Sequence, residues 1–310
     1  MIENPIEWPN GARCAVAFTF DMDAESLLHI YLGDTAHNRP ALSSLLRYGP
    51  EVAIPRIVAT FKRHDLRQTF FVPGWCIENY PRAVSLILDH GHEIGHHGYI
   101  HEKPNQLTLA DERAYLRRGI DSIVKATGRR PRGYRAPSYA FSRHSLDLLL
   151  DEGFEYDASL LGHDIPYLIC NSRGELVELA SELAMDDWTQ YVCIREFGYM
   201  LPVASPQRAM EVFRAEFDSA WRHGGMWIAV WHPFVSGRAS RCDAMEDLIL
   251  YMKEKGGVWF ARLEEISDYA RAMMKSGQWQ PRVDRLPYVA QPLRNIPPQR
   301  GVLTDPDTKG

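Results

Sequence analysis

Short apolar stretches alternate with longer segments of helical period along most of this chain. Apolar, β-prone stretches predict strands at 15–20, 68–72, 92–96, 133–135, 154–156, 176–179, 226–231 and 258–262. Apolar residues at helical spacing predict helices at 51–64, 81–91, 108–127, 142–152, 205–223 and 243–255, and a last helix that ends near 274. Because the two patterns interleave so evenly, we expect an α/β protein whose parallel sheet closes into a barrel.

Two segments fall outside this alternation. Residues 24–50 form an insertion after the first strand, where a substrate-covering loop is expected. Residues 280–310 are rich in Pro and polar side chains and predict an extended tail that packs on a neighbouring subunit. We therefore divide the chain into a catalytic barrel, 1–279, and a C-terminal tail, 280–310.

Composition narrows the class of protein. The 310 residues are 45% hydrophobic and 24% charged, as in an ordinary globular protein with a large core. The formal net charge is −5, and the longest basic stretch is the short segment 129–132, so nucleic-acid binding has little electrostatic support. No stretch approaches the ~18 apolar residues of a membrane helix. We expect no nucleic-acid partner and no membrane partner.

The expected location is the cytoplasm. The first residues carry Glu and Pro where a secretory signal needs a basic start and an apolar stretch. The five cysteines are scattered and form no C-x-x-C pair, so they indicate neither a disulfide framework nor a thiolate metal site.

The first chemically suggestive cluster is the pair Asp21 and Asp23, directly after the first strand. Carboxylates two positions apart on an extended chain point the same way, and active sites of α/β barrels lie at these strand ends. The pair is interpreted either as two turn-forming aspartates or as one metal ligand beside one general base.

The second cluster, His97 and His101, follows the third strand. A spacing of four lets one helical turn bring both imidazoles to one side, as a metal requires, although structural histidines remain an alternative. With Asp23 they form a ligand set suited to Zn²⁺, and also to Co²⁺, Mn²⁺ or Fe²⁺, which leaves positions open for water and substrate. We expect one divalent metal ion, zinc in the first place.

Three further groups lie after later strands. Arg135 precedes Pro137 and Ser138, whose backbone N–H is placed to face an oxyanion, and His232 follows an apolar strand. For Arg135 and for His232, a purely structural role is the alternative interpretation. Asp186, Asp187 and Trp188 line a substrate pocket or cap a helix. The predicted substrate contacts are Ser138, Tyr134, Asp187, Trp188 and Trp231.

Taken in order, these clusters resemble the motifs of the polysaccharide deacetylase family, also called NodB-like or carbohydrate esterase family 4. The matching segments are T-F-D-M-D at 19–23, H-G-Y-I-H at 97–101, R-A-P at 135–137 and His232, within roughly residues 12–265. The resemblance implies a distorted (β/α) barrel of seven strands rather than eight.

The resemblance also implies a role for each site residue. Asp21 would be the general base, oriented by Arg135, and His232 the general acid. Asp23, His97 and His101 would bind the metal. The chain would then be a hydrolase of carbon–nitrogen bonds other than peptide bonds.

Within the family, the spaced aspartates and the double Asp before Trp188 look most like an intracellular branch. That branch includes peptidoglycan deacetylase-like enzymes and relatives that hydrolyse allantoin or cyclic imides. The first functional hypothesis is therefore deacetylation of an N-acetylated sugar, and the second is ring opening of a cyclic imide or ureide. A third hypothesis is a metal-free binding module on an inactive barrel. We also expect a homo-oligomer, either a dimer or a tetramer.

Overall fold

The computed structural model describes residues 2–289. Its strands are β1 (Cys14–Asp21), β2 (Thr69–Val72), β3 (Glu93–His96), β4 (Gly133–Tyr134), β5 (Tyr156–Asp157), β6 (Tyr167–Cys170), β7 (Glu175–Glu178), β8 (Cys193–Ile194), β9 (Tyr199–Met200), β10 (Met226–Trp231), β11 (Val258–Phe260) and β12 (Val283–Arg285). Its α-helices are α1 (Ser26–Leu32), α2 (Pro40–Tyr48), α3 (Ile54–Arg63), α4 (Gly74–Asn79), α5 (Pro81–Asp89), α6 (Leu109–Thr127), α7 (Ser145–Glu152), α8 (Trp188–Tyr191), α9 (Pro206–His223), α10 (Pro233–Ser236), α11 (Ala239–Lys255) and α12 (Leu263–Lys275).

The parallel strands form a distorted α/β barrel. Strands β10, β1, β2, β3, β4, β5 and β7 follow one another in hydrogen-bonded order. A parallel bridge between Asp186 and Val230 joins the segment after β7 to β10, so that seven strands of the described chain form the ring. Within residues 2–289, strand β11 pairs only with the first three residues of β1. The seven-stranded barrel expected from the family resemblance is confirmed.

Side chains along β1 alternate strictly between the two faces of the sheet, and this alternation determines which way the last residues of the strand point. Val16, Phe18 and Phe20 face outward into a core with the helices, where Phe61 of α3 packs edge-on against Phe18 and Phe20. The opposite set comprises the small Ala15 and Ala17, then Thr19 and Asp21. Because side chains alternate along a strand, the inward set ends in a carboxylate at the open end of the barrel.

Most predicted elements are found within a few residues of their expected ends. Strand β10 has the predicted bounds, and the predicted N-cap of α6 is present, since the Thr108 side chain accepts a hydrogen bond from the Asp111 N–H. The insertion 24–50 is not a loop, because most of it is helical, in α1, α2 and a 3-10 helix at Gly33–Asn38. Helix α4 and the short strands β6, β8, β9 and β12 were not predicted.

Part of the expected tail returns to the barrel. Strand β12 pairs in parallel with β6, which itself runs antiparallel to β7 at the edge of the sheet. The rest of the tail, residues 290–310, lies outside the described residues. No helix within 2–289 is long and apolar enough to cross a membrane.

A buried carboxyl group at the start of β3 makes the stability of the barrel depend on pH. The carboxyl of Glu93 accepts hydrogen bonds from the Tyr156 hydroxyl at 2.7 Å, the Thr69 hydroxyl at 2.7 Å and the Glu264 N–H at 3.1 Å. Burial, followed by the charge of Glu264, raises the pKa of Glu93 from 4.5 to about 7.

This shift predicts the effect of Glu93→Gln. Since the folded pKa lies above the unfolded one, ionisation of Glu93 favours the unfolded chain. Its contribution to the free energy of unfolding is complete below pH 4.5, falls as the pH rises towards 7, and then stays constant. Between pH 4.5 and about 7, the free energy of unfolding of the variant, measured with urea, should therefore increase relative to that of the wild type by an amount on the order of 3 kcal/mol. A difference that does not change with pH would contradict the assignment.

Candidate metal centre and active site

Three buried side chains converge at the carboxyl ends of β1 and β3. The Nε2 atom of His97 lies 3.4 Å from Oδ1 of Asp23, and Nε2 of His101 lies 3.5 Å from its Oδ2. All three are at most 6% exposed, and neither carboxylate oxygen of Asp23 accepts a hydrogen bond from any described donor. The three predicted metal ligands are thus brought together, with their ligand atoms within 4.8 Å of one another.

The backbone between the two histidines differs from the expected helical turn. Residues 97–101 form an irregular loop in which Gly98 and His101 have positive φ angles of 71° and 61°. The carboxylate of Glu102 stabilises this loop by accepting hydrogen bonds from the backbone N–H groups of Tyr99 and Ile100. A side chain on Gly98 would also lie 2.7 Å from that carboxylate, which explains the glycine. Glu102 was not predicted, and its position directly after His101 was the one signal that could have indicated it.

The protonation of the histidines suits metal binding. Nδ1 of His97 lies 2.8 Å from the carbonyl oxygen of Arg135 and donates to it, so the lone pair resides on Nε2, which faces Asp23. Burial lowers the pKa of both His97 and His101 and keeps their imidazoles neutral. Burial also raises the pKa of Asp23 well above its ordinary value. A cation among these groups would supply the charge that the unpartnered carboxylate lacks, so the residues fit a divalent metal.

Asp21 lies beside this centre and is held by Arg135. Its Oδ1 accepts a hydrogen bond of 2.8 Å from an Nη1–H of Arg135, and its Oδ2 lies 3.7 Å from Nε2 of His97. Burial is the largest single influence on the pKa of Asp21 and raises it, but the charges of Arg135 and His232 and the hydrogen bond from Arg135 together outweigh burial and lower the pKa. The result is a pKa below the ordinary value, so Asp21 is an ionised carboxylate.

The guanidinium of Arg135 is itself fixed on several sides. It donates to the Thr19 hydroxyl at 2.7 Å and to the Ala158 carbonyl oxygen at 3.1 Å, and it stacks on the ring of Phe71 at 4.2 Å. Because the side chain is 1% exposed, Arg135 has no freedom to leave Asp21 without exposing buried partners.

His232 faces the same centre from the end of β10. Its Nε2 lies 3.5 Å from Oδ2 of Asp23, and its Nδ1 donates to Oδ1 of Asp187 at 2.7 Å. The backbone N–H of His232 and the hydroxyl of Ser236 both donate to the other oxygen of Asp187. Burial lowers the pKa of His232, but the charge and hydrogen bond of Asp187, followed by Asp23 and Asp186, outweigh it and raise the pKa to about 10.

Asp187 was predicted as a substrate contact, but the structure places its side chain outside the residues that line the cavity. Its side chain is fully buried, and its oxygens accept hydrogen bonds from the His232 backbone, the His232 ring and Ser236. Asp187 therefore orients the imidazole instead of facing the substrate. Its neighbour Asp186 faces the cavity, where it accepts hydrogen bonds from the Tyr139 hydroxyl and the Trp188 N–H.

A cavity of about 190 Å³ lies above these groups. The predicted contacts Ser138 and Trp188 line it, and Ser138 has a positive φ of 54°. Helix α1 contributes Leu27 and Tyr31 to the wall, and the segment around β8 and β9 contributes Tyr199. An insertion that covers the substrate was expected at 24–50, whereas the contribution of Tyr199 was not predicted. The cavity is lined by Asp21, Asp23, Leu27, Tyr31, His97, His101, Arg135, Ala136, Ser138, Tyr139, Leu183, Asp186, Trp188, Thr189, Tyr199, Val230 and His232.

Two other predicted substrate contacts do not reach the cavity. Trp231 is fully buried on the outer face of β10, where it packs against Phe18 and Phe213. Tyr134 is buried on the outer side of β4 against His96 and Phe154. In both cases the neighbouring residue on the strand faces the site, and alternation turns the aromatic ring the other way.

Comparison of the sequence with known proteins identifies the family to which this chain belongs. A family model described as polysaccharide deacetylase matches residues 37–156. A peptidoglycan deacetylase from Helicobacter pylori is 32% identical over 282 residues, which cover 82% of this chain and 94% of that protein. The chain belongs to the polysaccharide deacetylase family. This family comprises hydrolases that act on amide bonds.

Solved structures support the family assignment. The polysaccharide deacetylase fold of this chain is similar to the crystal structure of a putative polysaccharide deacetylase from Mycobacterium smegmatis, with 36% identity and a TM-score of 0.86. That match covers 94% of this chain and 99% of the other. An allantoinase structure matches with a TM-score of 0.76 over 90% of this chain and 96% of that chain, but at 22% identity it shows only the shared fold.

Proposed function

We propose that this member of the polysaccharide deacetylase family is a metal-dependent hydrolase of a non-peptide amide bond. The observation that carries the proposal is the buried, unpartnered carboxylate of Asp23 between the Nε2 atoms of two neutral histidines, beside a second, ionised carboxylate. A divalent ion, zinc in the first place and otherwise Co²⁺, Mn²⁺ or Fe²⁺, would be held by Asp23, His97 and His101. When bound, such an ion polarises a carbonyl oxygen and lowers the pKa of water.

The roles of the surrounding residues follow from their positions. Asp21 lies on the metal side of the cavity and accepts the proton of the attacking water, while Arg135 holds its carboxylate in place. His232 faces the cavity from the end of β10, with its Nε2 3.5 Å from Oδ2 of Asp23, and donates a proton to the departing nitrogen. Asp187 holds the imidazole in the required orientation through its Nδ1–H.

The proposed substrate is an N-acetylated sugar, from which the enzyme would release acetate. Support comes from the similarity to a peptidoglycan deacetylase across almost the whole of that relative. A second candidate is a cyclic imide or ureide. The cavity favours it, since about 190 Å³ is small for a ligand site and α1 and the β8–β9 segment supply its walls.

A substrate screen distinguishes the two candidates. We expect the purified, metal-loaded protein to release acetate from N-acetylglucosamine oligomers and to leave succinimide and hydantoin unchanged. Acetate is measured by a coupled assay, ring opening by the loss of ultraviolet absorbance, and the Asp21→Asn variant serves as the inactive control in both. Ring opening without acetate release would support the second candidate, and no activity on either class would contradict the proposed substrates.

A further inference from the structure

Two fully buried carboxyl side chains, Asp157 and Glu178, lie next to each other on β5 and β7. Neither lines the cavity or belongs to the candidate metal ligands. Two ionised carboxylates side by side in a dry interior would repel each other and lack solvation. One proton must therefore be retained between them.

Hydrogen bonding indicates which group keeps the proton. Oε1 of Glu178 accepts a hydrogen bond of 3.0 Å from the Leu160 N–H, whereas Oε2 receives none from any donor in the described chain. The two carboxyl groups are register partners on neighbouring strands, and burial, followed by the charge of Asp157, raises the pKa of Glu178 well above its ordinary value. A protonated Oε2 on Glu178 that donates to Asp157 accounts for all three observations and leaves the negative charge on Asp157.

The charge on Asp157 organises the turn that follows β5. Its Oδ1 accepts from the Ser159 hydroxyl at 2.6 Å, and its Oδ2 accepts from the Ser159 N–H at 3.2 Å. The Ser159 oxygen in turn accepts a hydrogen bond of 2.7 Å from the N–H of Ala136. In the same turn, the Ala158 carbonyl accepts from Nε of Arg135 at 3.1 Å.

We propose that Asp157 and Glu178 share one proton and, through Ser159, position the Arg135–Pro137 turn against Asp21. They are positioning residues, since neither contacts the substrate cavity. The inference rests on the proposed function in one respect, namely that the Asp21–Arg135 pair takes part in turnover. A displaced turn would move the guanidinium away from the carboxylate that it holds and would also shift Ser138 at the cavity wall.

The test compares variants that keep or break this chain of hydrogen bonds. Ser159→Ala removes the acceptor for the Ala136 N–H, and Glu178→Leu removes the proton donor to Asp157. Glu178→Gln keeps both, because its amide donates to Asp157 and its oxygen accepts from Leu160. We expect kcat to fall by about 10- to 100-fold in the first two, with KM changed by less than about 2-fold, and to stay within about 3-fold of wild type in Glu178→Gln.

Ser267→Ala is the matched control. It makes the same chemical change as Ser159→Ala at a buried hydroxyl of α12 that has no described partner, and we expect its kcat to equal that of the wild type. Crystal structures of the variants should show Nη1 of Arg135 moved beyond hydrogen-bond distance of Asp21 in Ser159→Ala and unmoved in Glu178→Gln. Full kcat in Ser159→Ala, or an equal loss in Glu178→Gln and Glu178→Leu, would overturn the proposal. If the wild type hydrolyses no amide, the proposed function fails, and the Arg135–Asp21 distance in these structures still decides this inference.

Discussion

In the Asp21→Asn variant we expect turnover to fall by about 10²- to 10⁴-fold while bound metal is retained. The asparagine has the shape of the aspartate and leaves Asp23, His97 and His101 untouched, but its amide cannot accept the proton of an attacking water. Its oxygen can still accept from Arg135, so the guanidinium keeps a partner. Initial rates of acetate release, together with the metal content of the same sample by mass spectrometry, measure the two effects separately.

The control for this prediction is Asp34→Asn, which makes the same chemical change at an exposed position of the insertion. It should leave both rate and metal content unchanged. A fully active Asp21→Asn variant would show that another group is the base. Loss of metal together with activity would instead make Asp21 a ligand.

The His97→Ala variant should lose the metal and, with it, nearly all activity. Removing this imidazole takes away one of three ligands and leaves the carbonyl of Arg135 without its hydrogen-bond donor. A bound ion stabilises the folded state by an amount that grows with the logarithm of its affinity, so chelation should lower the melting temperature of the wild type and have no effect on the variant. Metal content and thermal unfolding with and without a chelator provide the measurements.

His37→Ala, at an exposed position, serves as the matched control and should behave like the wild type in each assay. Stoichiometric metal in His97→Ala would remove this residue from the ligand set. An unchanged melting temperature of the wild type after complete metal removal would show that the centre contributes nothing to stability.

Much of the barrel was predictable because its strands are short apolar stretches that end at polar residues. The convergence of Asp23 with His97 and His101 follows from the rule that parallel strands end at one edge, whereas the pairing of Asp21 with Arg135 was implied by the family resemblance. The outward direction of Trp231 and Tyr134 was also predictable. Both adjoin a residue that faces the site, and side-chain alternation along a strand turns such neighbours outward.

Other features carried no signal in the sequence. Asp187 reaches His232 from an irregular segment, so no periodicity could distinguish its direction from that of Asp186. The insertion 24–50 was expected to cover the substrate, but its helices are short, and only the folded chain shows that α1 is the part that lines the cavity beside the metal centre. The predicted cytoplasmic location, the homo-oligomer and the division at residue 279 stay predictions.

The walls and the floor of the cavity come from different parts of the chain. The floor consists of groups at the ends of the barrel strands, whereas Leu27, Tyr31 and Tyr199 are supplied by segments that lie outside the ring. Changes in those outer segments can alter which molecule enters without moving the reacting groups. A fold arranged in this way allows relatives to differ in substrate while they keep the same reaction. Exchanging α1 between two relatives is therefore a direct route to a new specificity.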